Sequence, residues 1–286
     1  MLPQRGFTLF RVTVSNVCIT RPLSSTAETI RTQYSNVDQQ EVENLSKQSS
    51  EWWDPCGPIR GLHAMNALRV PLIRDGLIAT GIVGKERISK PKVLENVNIL
   101  EVGCGGGILS EALARLHAKV VGIDPSEKLI SVACEHAKAS AVLSPDRIQY
   151  HVETIEQHAS KNPERYDAVV ASEVLEHVSD KVLFIEQCVG ALKPGGSLFI
   201  TTINKTAPSW LGAIVAAEYL LHLVPEGTHD WDKFVSPGDL QRILSCYNCN
   251  TIVEHGMFYQ FWANQWCWTG NTDINYAIQA VKLAET

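Results

Sequence analysis

The chain has 286 residues, 45% hydrophobic and 20% charged, which suits one large globular domain and excludes a disordered or fibrous protein. Lys and Arg number 25 against 31 Asp and Glu, a formal charge of -6, so no overall positive field recruits nucleic acid or anionic lipid. No apolar run reaches the roughly 20 residues of a bilayer span, and eight scattered cysteines without framework spacing point to reduced thiols.

Residues 1–27 carry Arg5, Arg11 and Arg21, are rich in Ser and Thr and hold no acid before Glu28, the composition of a mitochondrial presequence. A plain polar tail is the alternative. Residues 28–96 are expected to form an N-terminal helical cover: helix formers fill 38–49, and 63–77 place Met65, Leu68, Leu72 and Ile73 at helical spacing, with Arg69 among them. From position 97 the pattern changes to short apolar runs at 99–102, 120–123, 148–152, 168–171 and 197–202, each followed by a helical segment. That alternation predicts an α/β domain over 97–286, built on a doubly wound, mostly parallel sheet. Segments 251–255 and 274–281 can pair as an antiparallel edge hairpin. Cys246 and Cys249 form a CxxC with no second pair at zinc spacing, so the end of a surface helix is the simpler reading there.

The first predicted strand, 98–102, runs directly into Gly103, Cys104, Gly105, Gly106 and Gly107 and then an apolar helix. Glycines at this junction permit positive φ and let a ligand approach bare backbone at a helix N-terminus. A dinucleotide fingerprint starting at Gly103 needs a third glycine where the chain has Ile108, which weakens a pyrophosphate reading. Asp124 ends the next strand, and a carboxylate there can accept both ribose hydroxyls of a nucleoside.

With Glu101 preceding the glycines, Asp124 at the second strand tip, Tyr-Asp-Ala-Val-Val at 166–170 and Leu-Lys-Pro-Gly-Gly at 192–196, the chain resembles the class I S-adenosylmethionine-dependent methyltransferases. The resemblance implies a Rossmann-like, seven-stranded sheet. Further segments are similar to the ubiquinone-biosynthesis O-methyltransferases, which methylate polyprenylated catechols: 51–54, 62–69, 171–178, 203–206 and 225–230, within a likeness covering residues 30–284. By that resemblance Arg69, Gly103, Asp124 and Ser172 hold S-adenosylmethionine, Arg69 pairing with its carboxylate, and Glu173, Glu176 and His177 hold magnesium. It also implies a multi-subunit ubiquinone-biosynthesis complex on the matrix side of the mitochondrial inner membrane.

Methyl transfer from a sulfonium is an in-line displacement, so alignment supplies much of the catalysis. The acceptor phenol has a pKa of about 10 and costs roughly 4 kcal/mol to ionise near pH 7. Glu173, Glu176 and His177 stand at i, i+3 and i+4, which puts them on one helix face or on a strand-to-helix turn. A dication held there would stabilise the phenolate, with zinc or manganese better suited than magnesium to an imidazole ligand. In a metal-free alternative Glu173 or His177 is the base, and His229 is a further candidate base. The segment 210–223, within an insertion near 207–230, is apolar on nearly every side, which suits either a buried helix or one lying on a membrane surface. Two other classes stay open, a nicotinamide-dependent oxidoreductase and a non-catalytic subunit that presents lipid.

Overall fold

Successive residues of the buried strands point to opposite sides of the sheet, and each side is covered by its own layer of helices. The computed structural model describes Asn36, residues 39–206 and residues 234–284. The expected presequence at 1–27 and the whole of the insertion at 207–230 lie outside them. The described elements are α1 (Gln39–Ser46), α2 (Arg60–Ala79), β1 (Asn98–Val102), α3 (Ile108–Arg115), β2 (Lys119–Asp124), α4 (Glu127–Ala139), β3 (Ile148–Val152) and α5 (Ile155–Lys161), then β4 (Tyr166–Ser172), α6 (Lys181–Ala191), β5 (Leu192–Ile203), α7 (Pro237–Cys246), β6 (Cys249–Gln260), β7 (Gln265–Thr269) and β8 (Asn275–Lys282).

The strand order is β3-β2-β1-β4-β5-β8-β6-β7. The first five are parallel, and β8, β6 and β7 add antiparallel to β5 and to one another. The expected pairing of β6 with β8 is present. The sheet has eight strands where seven were expected, because 265–269 folds back on β6 as an edge strand. Its alternation is obscured by two tryptophans, and Trp266 gains a tertiary anchor by donating from Nε1 to the Gly61 carbonyl at 2.9 Å. Among the described residues no helix is long and apolar enough to cross a membrane.

Ile99, Val120, Val170 and Phe199 meet Ile73 and Leu77 of α2 and Leu109 and Leu113 of α3 on one face. On the other face Leu100, Val102, Val169 and Ala171 meet α5, α6 and α7 through Ile155, Ile185 and Leu244. The helix α2 is therefore one side of the sheet's core rather than a detachable cover. Truncating a fully buried leucine removes its transfer free energy and leaves a cavity, about 2 to 5 kcal/mol in typical cores. Leu77→Ala, at a side chain with 0% exposure, should lower the unfolding free energy from urea titration by an amount within that range, through a lower midpoint at an unchanged m-value; a loosely docked cover would give a change well under 1 kcal/mol.

Candidate functional site

The carboxyl ends of β1, β2 and β4 open onto one cavity, with Gly103, Asp124, Glu173 and His177 among its walls. The loop after β1 turns through Gly103 (φ 68°) and Gly105 (φ 52°). Both positions also lack room for a side chain: a Cβ on Gly103 would lie 2.5 Å from Cγ2 of Val174, and one on Gly105 would lie 2.5 Å from Cζ2 of Trp52. Asp124 organises this loop, accepting from the Gly105 N–H at 3.0 Å and the Ser126 N–H at 2.8 Å. Burial pushes its carboxyl above the usual range, against the pull of those two bonds.

The N-terminal segment closes the same region from outside. Trp53 donates from Nε1 to the Gly106 carbonyl at 3.0 Å and stacks on His136 with ring centroids 3.4 Å apart. Asn36 bridges the Asp180 backbone and Glu156, and with Val42 and Leu45 it lines the cavity.

Arg69, expected as a cofactor ligand, is only 5% exposed and points inward from α2. Its Nε and Nη2 donate to Asn66 Oδ1 at 3.1 and 2.7 Å, Nη2 to the Leu62 carbonyl at 2.8 Å, and Nη1 to Ser172 Oγ at 3.0 Å. Ser172 Oγ lies 2.7 Å from Thr201 Oγ1, which donates to Glu173 Oε1 at 2.7 Å. Burial lowers the guanidinium pKa while the charges of Glu101 and Glu173 oppose that. Glu101, beneath the glycine loop, accepts from Ser110 Oγ and is pushed up to about 7, chiefly by burial, with Arg69 resisting.

Glu173, Glu176 and His177 do not share a helix face. Glu173 has a left-handed backbone (φ 57°) just beyond β4, and Leu175–His177 is a single 3-10 turn, so the strand-to-helix alternative is the one observed. Glu176 is buried and accepts from Thr202 Oγ1 at 2.7 Å. Burial first, and the Glu176 carboxylate second, push Glu173 up to about 7. Among the described residues no three His, Cys, Asp or Glu side chains gather as a metal-holding cluster. His229 lies outside the described residues. In the sequence Glu101 stands out only as a motif position, and Asn66 and Thr201 carry no role of their own. Neither of those two carries a spacing signal, since α2 and the sheet bring them to the site only on folding.

The chain matches the family described as Methyltransferase domain over residues 76–254. It is 45% identical over 276 residues to a relative from Rattus norvegicus named ubiquinone biosynthesis O-methyltransferase, mitochondrial, covering 96% of this chain and 78% of the relative. A bacterial relative from Rhizobium etli, named ubiquinone biosynthesis O-methyltransferase, is 40% identical over 244 residues, 85% of this chain and 95% of its own. Among solved structures the chain is similar to the magnesium protoporphyrin IX methyltransferase of Synechocystis with bound SAH, with a TM-score of 0.56 and 19% identity over 89% of this chain and 99% of that one. At that identity the likeness shows the fold alone.

The raised carboxyls give the molecule a pH signature. Glu101 and Glu173 titrate near 4.5 when unfolded and near 7 when folded, so the native state keeps protons that the unfolded chain has released. Their contribution is complete below the unfolded value and is lost as pH rises through the folded one. Melting temperature should therefore fall between about pH 4.5 and 7 on their account. Glu101→Gln, whose amide cannot ionise, should show a flatter profile in calorimetry; an identical slope in the variant would exclude Glu101 as a source.

Proposed function

The chain belongs to the ubiquinone biosynthesis O-methyltransferases, S-adenosylmethionine-dependent enzymes, and from that membership we propose that it methylates a hydroxyl of polyprenylated catechols at the turn carrying Glu173, Glu176 and His177. The observation that carries this reading is the meeting of the glycine loop, Asp124 and an acidic turn around one cavity. In it, Asp124 receives the ribose hydroxyls and Gly103 gives backbone access to the amino-acid end. Arg69 has four of its five N–H groups engaged by described residues, so the cofactor carboxylate takes the remaining Nη1 proton. Ser172 holds that guanidinium in place.

The acceptor proton is the chemical obstacle. An ordinary carboxylate is a poor base for a phenol, roughly six pKa units below it. Glu173, pushed up to about 7, halves that gap and is a competent proton acceptor. The same turn has the donor set for a dication, two carboxylates and an imidazole, and crowding of Glu173 by Glu176 is what a cation relieves. A dication bound by Glu173, Glu176 and His177 would supply electrostatic stabilisation of the phenolate. In the described structure each carboxylate is turned to a threonine, Thr201 or Thr202, so holding one ion requires both to rotate. Magnesium is the cation we favour, with zinc or manganese as the imidazole-tolerant substitutes.

Relatives from rat, mouse and man named as mitochondrial support a mitochondrial location. A substrate whose polyprenyl tail stays in lipid supports peripheral attachment to the matrix face of the inner membrane, with residues 210–223 as the contacting segment.

Asp124→Ala should remove most S-adenosylmethionine affinity in calorimetry, since charge-assisted hydrogen bonds contribute about 1.5 to 3 kcal/mol. It should also loosen the glycine loop, because Gly105 and Ser126 lose their acceptor. Unchanged affinity would remove the ribose assignment. Chelation should lower turnover of a short-chain polyprenyl dihydroxybenzoate sharply while cofactor binding persists, and Glu176→Ala should abolish manganese binding measured by titration. Full turnover in chelator, with Glu173→Gln still inactive, would establish Glu173 as the base without metal.

A further inference from the structure

We propose that Thr201 is a positioning residue for methyl transfer, fixing the Glu173 carboxylate at the reaction turn and tying it to Arg69 at the cofactor end. The inference rests on the reading that Glu173 takes the acceptor proton as base, with its Oε1 still held by Thr201. Thr201 lies near the carboxyl end of β5, directly beside Ser172 in the parallel register of β4 and β5. It grips Glu173 twice and in both directions. The Glu173 N–H donates to the Thr201 carbonyl at 2.9 Å, and Thr201 Oγ1 donates back to Glu173 Oε1 at 2.7 Å.

That double grip matters because Glu173 holds a left-handed backbone at φ 57°. A non-glycine residue stays in such a conformation only when its surroundings over-determine it. Thr201 is 4% exposed, so water cannot stand in for its hydroxyl. The hydroxyl has one proton, and that proton goes to Glu173. The contact between Ser172 Oγ and Thr201 Oγ1 must therefore be donated by Ser172. Ser172 in turn accepts from Arg69 Nη1. The chain of bonds runs one way, from guanidinium through two hydroxyls to carboxylate, and Thr201 is the link whose loss frees the carboxylate. Thr202 cannot replace it. As the next residue of the strand its side chain leaves the opposite face, where it holds Glu176.

The test measures kcat and KM for S-adenosylmethionine and for a short-chain polyprenyl dihydroxybenzoate, using the full chain and four variants: Thr201→Val, Thr201→Ser, Glu173→Gln and the Thr201→Val/Glu173→Gln double. Thr201→Val should lower kcat at least about tenfold with KM for S-adenosylmethionine within about threefold, and Thr201→Ser should retain activity within about threefold of wild type. The double variant should be no slower than Glu173→Gln alone, within about twofold, because both changes disable one unit. Multiplicative losses, or a Thr201→Val enzyme as fast as wild type beside an impaired Glu173→Gln, overturn the role given to Thr201. An unimpaired Glu173→Gln overturns the underlying reading of Glu173, and this inference with it. Should Thr201→Val fail to fold, Thr201→Ala removes the same hydroxyl with less bulk and is judged by the same cycle.

Discussion

A guanidinium taken out of water is the constraint around which the site is arranged. Arg69 is 5% exposed and keeps its charge, so every N–H it turns inward needs an acceptor, and a buried cation needs compensating charge. Asn66 and the Leu62 carbonyl supply acceptors from its own helix, Ser172 supplies one from β4, and Glu101 and Glu173 supply charge. Satisfying one residue thus fixes the docking of α2 against the sheet, the orientation of Ser172 and the environment of both acidic groups. Replacing any of these partners leaves a desolvated charge short of an interaction, which is costlier than never having buried it.

The second arrangement is steric and involves the glycine loop. Its backbone must be bare because a Cβ at Gly103 or Gly105 would strike Val174 or Trp52, yet bare backbone is conformationally loose. Asp124 ties it from inside through Gly105 and Ser126, while Trp52 and Trp53 close it from outside, the latter stacked on His136. The N-terminal segment also reaches the cavity beside this loop, where Val42, Leu45 and Asn36 form part of the wall. This explains why the Trp-Trp pair, distant in sequence from the glycines, belongs to the same functional unit.

At the turn carrying Glu173, Glu176 and His177 both arrangements converge. A half-buried carboxyl beside a second carboxyl holds its proton more tightly, which suits it either to receive a proton from a phenol or to share a cation with its neighbour. The left-handed backbone of Glu173 keeps its side chain close to β5, and the adjacent hydroxyls of Thr201 and Thr202 hold Glu173 and Glu176 apart.

By itself the sequence determined the doubly wound, mostly parallel sheet, the glycine loop with Asp124 at the neighbouring strand tip, and the close spacing of Glu173, Glu176 and His177 just beyond β4. Each of these is a local signal, written in hydrophobic period, glycine placement or close spacing along the chain. What only the tertiary structure decided depends on contacts between distant segments. Strand β7 was no expected element, and it is defined by its pairing with β6 and by the bond from Trp266 to Gly61. Arg69 enters the sequence reading only through a family resemblance, and its bonds to Ser172 and the Leu62 carbonyl exist only once α2 has folded and docked. Thr201 has no motif at all, and its role arises because parallel pairing sets β5 beside β4 in a register that brings its hydroxyl to Glu173. Period and spacing report which face of an element is buried, whereas the partner across that face is chosen by packing, and packing is a property of the folded whole.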